Sequence, residues 1–322
     1  MDQVGGIPGE AAWLDGRFMP RGEFAIPAGD AGFVLGATVT EQLRTFQGRL
    51  FLTAAHARRL QRSLDLIGLV PAHSPEAITA AAEAVAAHNH ALLPSAGSGP
   101  PHDLGLVMFV TAGDLAAQHG GRSGSPRVGI HSFPLAFGMW AHGYERGIAL
   151  RSVSVAQVPD ACWPLAAKVR SRLHYFLADR EAAAAEPGAR AVLAHADGRI
   201  SETSTANLAV VRSGGVVTPP PADALAGVSL GFARELAGRL GIPWEERSIQ
   251  ACDLEQADEI LLTSTPSCIL PATRFDGHPV GGGRPGPVFA RLLAAWSEAA
   301  GVDIAAQARQ HGGSHHPGPA AT

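Results

Sequence analysis

The chain has 322 residues, 46% hydrophobic and 17% charged, with a formal net charge of −4. That length supports two domains of roughly 100–200 residues each, and the charge balance excludes the bulk basicity of a nucleic-acid or anionic-membrane binder. Three cysteines, Cys162, Cys252 and Cys268, are odd in number and never spaced as CxxC, which points away from a disulfide framework or a zinc site and toward a reducing cytoplasm.

Read in chain order, the opening MDQVGGIPGEAAW lacks the basic end and apolar core of a signal peptide. LTAAHARRLQRSLDLIGL predicts a helix with Thr53 as N-cap, Leu60, Leu64 and Ile67 on one face and Gly68 beyond its end. PEAITAAAEAVAAHNH predicts a second helix, and LGLVMFVTAG, apolar nearly throughout, a buried strand. LLPSAGSGPPHD and QHGGRSGSPR read as loops, and FGMWAHGYER as a connector. No apolar run reaches the roughly 18 residues that a bilayer demands.

The second half opens with the strand IALRSVSVAQV, then a segment carrying Lys168 at the start of a helix. ARAVLAHADGRISETS predicts a hairpin turning at Asp197-Gly198, and NLAVVRSGGVVTPP a second one turning on Gly214-Gly215. AGVSLGFARELAGRLGI predicts a helix with Ser229 as N-cap and Gly241 as its stop. EILLTSTPS reads as a strand and GPVFARLLAAWSEAAG as a last helix. The boundaries that follow are a small α/β domain over 11–136, a connector over 137–147 and a larger domain over 148–302. Residues 303–322, ending in ARQHGGSHHPGPAAT, read as a low-complexity tail, expected to be disordered and without function.

Of the 25 lysines and arginines, Lys168 is the single lysine. An arginine stays protonated in a protein, whereas a partly desolvated lysine can lose its proton and act as base or imine-forming nucleophile. Leu165, Ala166 and Ala167 beside Lys168 supply the apolar surroundings. A Schiff-base lysine needs an aldehyde cofactor, an anchor for that cofactor's phosphate and a carboxylate against its ring nitrogen. The helix start at Gly227-Val228-Ser229 offers free N–H groups and a positive dipole end for the phosphate. Thr265 in TSTP adds a hydroxyl and Arg59 in HARRL a bidentate cation. Glu202 in GRISETSTANLAVV is the candidate carboxylate. Each has a plainer reading: Ser229 as a cap, Arg59 as a solvated helix arginine, Glu202 as an exposed strand end. GxGxxG, Walker, HExxH and GxSxG signatures are missing from any suitable setting.

In order, these pieces resemble the fold-type IV pyridoxal-phosphate enzymes, the class-IV aminotransferases, a group that includes branched-chain and D-amino-acid aminotransferases and aminodeoxychorismate lyase. The residues that carry the resemblance are DAGFVLGATVTEQLRTFQGRLFLTAAHARRL, Lys168 with its following helix, GRISETSTANLAVV, LAGVSLGFARELAGRLGI and ADEILLTSTPSCILP with DGHPVGGGRPGP, from about residue 11 to 300. The resemblance implies an α/β (α+β) protein with a small N-terminal α/β domain, a larger C-terminal domain with a barrel-like sheet, and a homodimer. It implies pyridoxal 5′-phosphate as cofactor, with Lys168 condensing with its aldehyde and shuttling the proton. Arg59, Val228, Ser229 and Thr265 would hold the phosphate, and Glu202 would face the pyridine nitrogen.

Several positions depart from that pattern. Leu173 stands five residues after the lysine where branched-chain enzymes carry a tyrosine, and Arg172 in SRL matches the NRL run of the lyase. Arg172 is therefore an added cofactor-site candidate. Thr40 replaces an aromatic residue before Glu41, and Ala112 stands where an arginine is common. Ser264 replaces a glycine, and Pro266, without an N–H, follows Thr265. Thr40, Pro266 and Ser267 are the expected substrate-side residues, and no metal is expected. The leading reading is an aminotransferase working on an amino acid and a 2-oxo acid. The alternatives are a lyase resembling aminodeoxychorismate lyase and a cofactor-binding homologue without turnover.

Overall fold

A tight hairpin opens the fold: β1 (Ala11–Leu14) passes through Asp15 and Gly16, both at positive φ, into β2 (Arg17–Pro20). Turns of this handedness match the twist of the strands they join. The computed structural model describes residues 4–94, 99 and 102–313. The chain divides into two compact units, Met1–Leu135 with Ala167–Ser171, and Ala136–Ala166 with Arg172–Thr322.

In the first unit a one-turn helix α1 (Ala31–Val34) precedes β3 (Thr38–Phe46) and β4 (Arg49–Leu50). Helices α2 (Thr53–Ile67) and α3 (Pro75–His90) follow, then β5 (Leu104–Thr111) and β6 (Arg127–Pro134). The strands form one antiparallel sheet in the order β2-β1-β6-β5-β3-β4. β5 is buried at every position, as its apolar sequence demands, because it lies between β3 and β6. Val39 and Leu43 of β3 enter one core with Leu60 and Leu64 of α2 and Ile78 of α3.

Helix α2 does not start as expected. Thr53 is its first helical residue, and Leu52, at φ 55°, stands at the cap position, while the Thr53 hydroxyl donates back to the Leu50 carbonyl at 3.3 Å. Gly68 at φ 70° closes the helix as anticipated. α3 has the expected bounds and is capped by Ser74, whose hydroxyl accepts from the Ala77 N–H.

The second unit holds α4 (Gly143–Arg146), β7 (Ile148–Ser152), α5 (Leu173–Ala185), β8 (Arg190–Ala194), β9 (Ile200–Thr203), β10 (Asn207–Arg212) and β11 (Gly215–Thr218). It continues with α6 (Val228–Arg239), β12 (Trp244–Glu246), α7 (Ala251–Glu255), β13 (Glu259–Ser264), β14 (Cys268–Phe275) and β15 (His278–Pro279). α8 (Pro287–Ala300) and α9 (Ile304–Gly312) complete it. Strand order runs β12-β11-β10-β13-β14-β7-β8-β9, and β9 pairs back onto β10 through Glu202 and Asn207. Six strands therefore close on themselves, which is the barrel-like sheet the resemblance implied. Closure removes the edges an open sheet would leave.

Four local features differ from the expectation. The strand from Ile148 ends at Ser152, short of Val158. The second hairpin turns at Ser213-Gly214, since Arg212 pairs with Gly215 and both turn residues sit at positive φ. Ser229 is the second residue of α6, whose cap is Gly227. Part of the tail from 303 is ordered: Asp303 caps α9 by accepting from the Ala306 N–H at 2.9 Å, and Ile304 and Ala308 are buried. Its residues 314–322 lie outside the described residues. Among the described residues no helix is long and apolar enough to cross a membrane.

Candidate active site

Lys168 does not open a helix; α5 begins five residues later, at Leu173. Residues 168–170 bridge to β3 through Val169. The Thr40 N–H donates to the Lys168 carbonyl and the Arg170 N–H to the Thr38 carbonyl, both at 2.9 Å, and Val169 lies opposite Val39. The Lys168 N–H donates to the Ser63 hydroxyl at 3.1 Å. These bonds draw residues 167–171 into the first unit, although the sequence placed them within the larger domain. The lysine backbone is thus held from both β3 and α2.

Close by in the same unit, β3 and α2 build a buried ion cluster. Glu41, fully buried, accepts from Nε and Nη2 of Arg59, each at 2.7 Å, and from Nδ1 of His56 at 2.7 Å. Burial alone would raise the Glu41 carboxyl, but the charge and hydrogen bonds of Arg59, with help from His56, outweigh it and hold the pKa at about 2. His56 is pushed down, first by burial and further by the positive charges of Arg59 and Lys168, against the pull of Glu41. It is therefore a neutral imidazole that donates a hydrogen bond rather than half of an ion pair. One edge of Arg59, the expected phosphate cation, is engaged by a carboxylate that the sequence reading passed over.

In the second unit Glu202 is buried, not an exposed strand end. Its Oε1 accepts from the Tyr175 hydroxyl at 2.8 Å and its Oε2 from the Asn207 side-chain amide at 3.0 Å. Burial, and then the Glu202 charge, push the Tyr175 phenol well above its ordinary pKa, so it remains a donor. Gln157 donates to the Tyr175 oxygen at 3.3 Å and to the Ser201 hydroxyl at 2.9 Å. Arg172 donates to the Ser204 carbonyl and lies over the Tyr175 ring, 4.5 Å from its centroid. Tyr175, seven residues beyond the lysine and one of two tyrosines in the chain, is the residue the sequence reading missed. The expected position, Leu173, is 70% exposed.

Asn207 also donates to the Leu225 carbonyl at 2.8 Å, just ahead of the α6 start. That helix runs for 12 residues, has no side-chain cap and no acid in its first turn, and buries Ser229. The first N–H groups of such a helix have no partner within it, the arrangement that suits an anion. Across the ladder from Asn207, Thr263 is buried with no hydrogen-bond partner for its Oγ1. Thr265 and Pro266 lie in the loop from β13 to β14, where Ser267 shares a hydroxyl hydrogen bond with Ser264 at 2.8 Å and its carbonyl accepts from Tyr144 at 2.7 Å. Thr40 is buried in the first unit, its hydroxyl donating to the Met108 carbonyl at 3.2 Å.

An uncapped helix start wired through one asparagine to a buried carboxylate fits a ligand with a phosphate on one side and a basic ring nitrogen on the other. With a closed six-stranded barrel and a single fixed lysine, this is the make-up of a pyridoxal-phosphate enzyme. Comparison with known proteins narrows that class. Residues 38–275 match the model of the amino-transferase class IV family, and the chain belongs to that family. It is 27% identical over 278 residues to the D-alanine aminotransferase of Bacillus licheniformis, covering 85% of this chain and 92% of that one. It is 28% identical over 289 residues to a probable branched-chain-amino-acid aminotransferase of Thermotoga maritima, covering 87% and 93%. The crystal structure of the Escherichia coli branched-chain amino acid aminotransferase superposes with a TM-score of 0.81 at 25% identity, covering 90% of this chain and 94% of that one. The protein is a pyridoxal 5′-phosphate-dependent class-IV aminotransferase of fold type IV. These relatives do not favour the lyase alternative.

Proposed function

We propose that Lys168 is the catalytic amine and that the chain moves an amino group between an amino acid and a 2-oxo acid. One observation carries the reading: the only lysine in the sequence has its backbone fixed by β3 and α2 beside a buried ion cluster. When bound, the cofactor supplies an aldehyde that takes up the amino group and a ring that withdraws electrons. Everything else is the work of the chain. The Lys168 amine receives and returns the proton at the substrate Cα. Val228 and Ser229 N–H groups with the Thr265 hydroxyl hold the phosphate, and Arg59, oriented by Glu41, adds positive charge. Glu202, fixed by Tyr175 and Asn207, accepts a hydrogen bond from the ring nitrogen and keeps it protonated. Arg172 braces this arrangement through Ser204 and Tyr175. Thr40, Pro266 and Ser267 face the substrate.

Phe33 and Leu35, at 77% and 62% exposure in and just after α1, support a homodimer. The cysteine usage supports a cytoplasmic setting. A half-reaction screen tests the reading. L- and D-amino acids added singly to holoprotein should move the absorbance from about 410–430 nm to about 330 nm as the amino group transfers. Pyruvate release from aminodeoxychorismate, with no donor producing that change, would sink it.

A further inference from the structure

An amino acid and its 2-oxo acid share an α-carboxylate, and the positions expected to hold one are poorly equipped here. The Thr40 hydroxyl is committed to the Met108 carbonyl, Ala112 offers a methyl group, and Pro266 has no N–H. The segment that carries Lys168 suggests a replacement. Val169 is bridged in antiparallel fashion to Val39 of β3, and its neighbour Arg170 turns its side chain to the other side of the sheet. Val169 shares the side of Val39, which belongs to the helix-packed core. Arg170 therefore leaves on the opposite side.

That side of the sheet has a distinct surface. Thr40, opposite Lys168, pairs with Phe109, and Phe109 pairs with Gly129. The Phe109 ring lies across Gly129, where a Cβ would come within 2.3 Å of its Cζ. Phe24 packs edge-on against Phe109 at 6.0 Å and at a tilt against His131 at 5.6 Å. The Arg170 guanidinium stands 6.0 Å from the Phe109 centroid, and Arg21 lies 5.5 Å from that of Phe24. Two arginines thus rest on one aromatic floor, which limits their hydration on that side and strengthens an ion pair made there. The His131 pKa agrees: burial lowers it most, and Arg21 and Arg170 lower it further, so both charges are felt at one imidazole.

We propose that Arg170 binds the α-carboxylate of the substrate, as the specificity-determining residue two positions beyond the catalytic lysine. The ligand class is a monocarboxylate whose side chain lies on the Phe109–Phe24 floor. This rests on the aminotransferase reading for its biological meaning, but its test does not need turnover.

The probe is 4-methylvalerate and its uncharged amide, titrated calorimetrically into holoprotein of wild type, Arg170→Gln and Arg170→Leu. Loss of a partly desolvated charge pair should cut the preference for carboxylate over amide about 100-fold. Arg170 is exposed, so both variants should fold, and affinity of the apoprotein for pyridoxal phosphate should hold. In turnover, the ratio of kcat/KM for an amino acid to that for the matching amine should fall by a similar factor. An unchanged preference in both variants would overturn the proposal. So would a loss of pyridoxal-phosphate affinity as large as the loss for the carboxylate, which would make Arg170 a cofactor residue. A wild type that binds 4-methylvalerate through Arg170 yet transfers no amino group would defeat the functional reading while leaving this one standing.

Discussion

A Cβ on Gly227 would lie 1.8 Å from the side-chain oxygen of Asn207. Only glycine allows that approach, and its effect is to seat the start of α6 on the same side chain that holds Glu202. The proposed phosphate cradle and the proposed ring-nitrogen carboxylate are therefore set by a single residue in β10, itself half of the pair that closes the barrel.

Gly227→Ala should push Asn207 aside, weaken its hydrogen bonds to Glu202 and Leu225, and lower affinity for pyridoxal phosphate about tenfold. Gly231→Ala is the control. It is an exposed glycine in the same helix with no atom within 4 Å of its would-be Cβ, so that change should be neutral or stabilise by up to about 1 kcal/mol. Titration of the two apoproteins with cofactor separates them, and equal affinities would mean that Asn207 does not set the cofactor cradle.

Lys168→Arg should keep the fold and lose the chemistry. Length and charge are nearly preserved, and the three hydrogen bonds near Lys168 that fix the segment all use backbone groups of residues 168 and 170. A guanidinium cannot lose its proton to attack an aldehyde. The variant should show an unchanged melting transition and no absorbance near about 410–430 nm after cofactor is added. A visible band of wild-type intensity would rule out Lys168 as the cofactor amine.

Much of this was legible in the chain itself, for reasons that differ by residue. Leu60, Leu64 and Gly68 mark α2 because periodicity and a positive-φ stop are local properties. Pro75 and the alanines after it do the same for α3. The backbone of Lys168 was misread because PLAAKVRSRLHYFLADREA scans as one helix, and pairing of Val169 with Val39 is a tertiary choice that outweighs local propensity. Glu41 with Arg59 is separated by 18 residues, and Tyr175 with Glu202 by 27, so neither pair leaves a local signal. Ser229 looked like a cap because serine favours that position, yet the near-contact with Asn207 gives the cap to Gly227.

Glu41 should make the first unit acid-sensitive. Its folded pKa of about 2 lies below the roughly 4.3 of an unfolded glutamate. The stabilisation is then fully present above about pH 4.5 and is lost as pH falls toward about 2, amounting to about 3 kcal/mol at full strength. Glu41→Gln should unfold at lower denaturant than wild type at pH 7, with the gap closing as the wild-type carboxyl protonates at low pH. A gap that stays constant from about pH 7 to about pH 2.5 would mean that the charge of Glu41 contributes nothing.

Glu202→Gln removes a charge while keeping the shape, and the surroundings suit that test. Tyr175 can still donate to the amide oxygen and Asn207 keeps its hydrogen bond to the Leu225 carbonyl, so the variant loses one hydrogen bond, between Asn207 and residue 202, and should still fold and bind cofactor. What it loses is the negative charge that holds the ring nitrogen protonated, and with it the electron withdrawal that the proton transfer at Cα depends on. The half-reaction should slow by about 100-fold or more, while the absorbance near about 410–430 nm persists. Tyr175→Phe should fall between the two, because Glu202 keeps its charge but loses the donor at 2.8 Å that orients it. Single-turnover rates for the three proteins order these effects. A Glu202→Gln rate equal to wild type would mean that this carboxylate does not serve the ring.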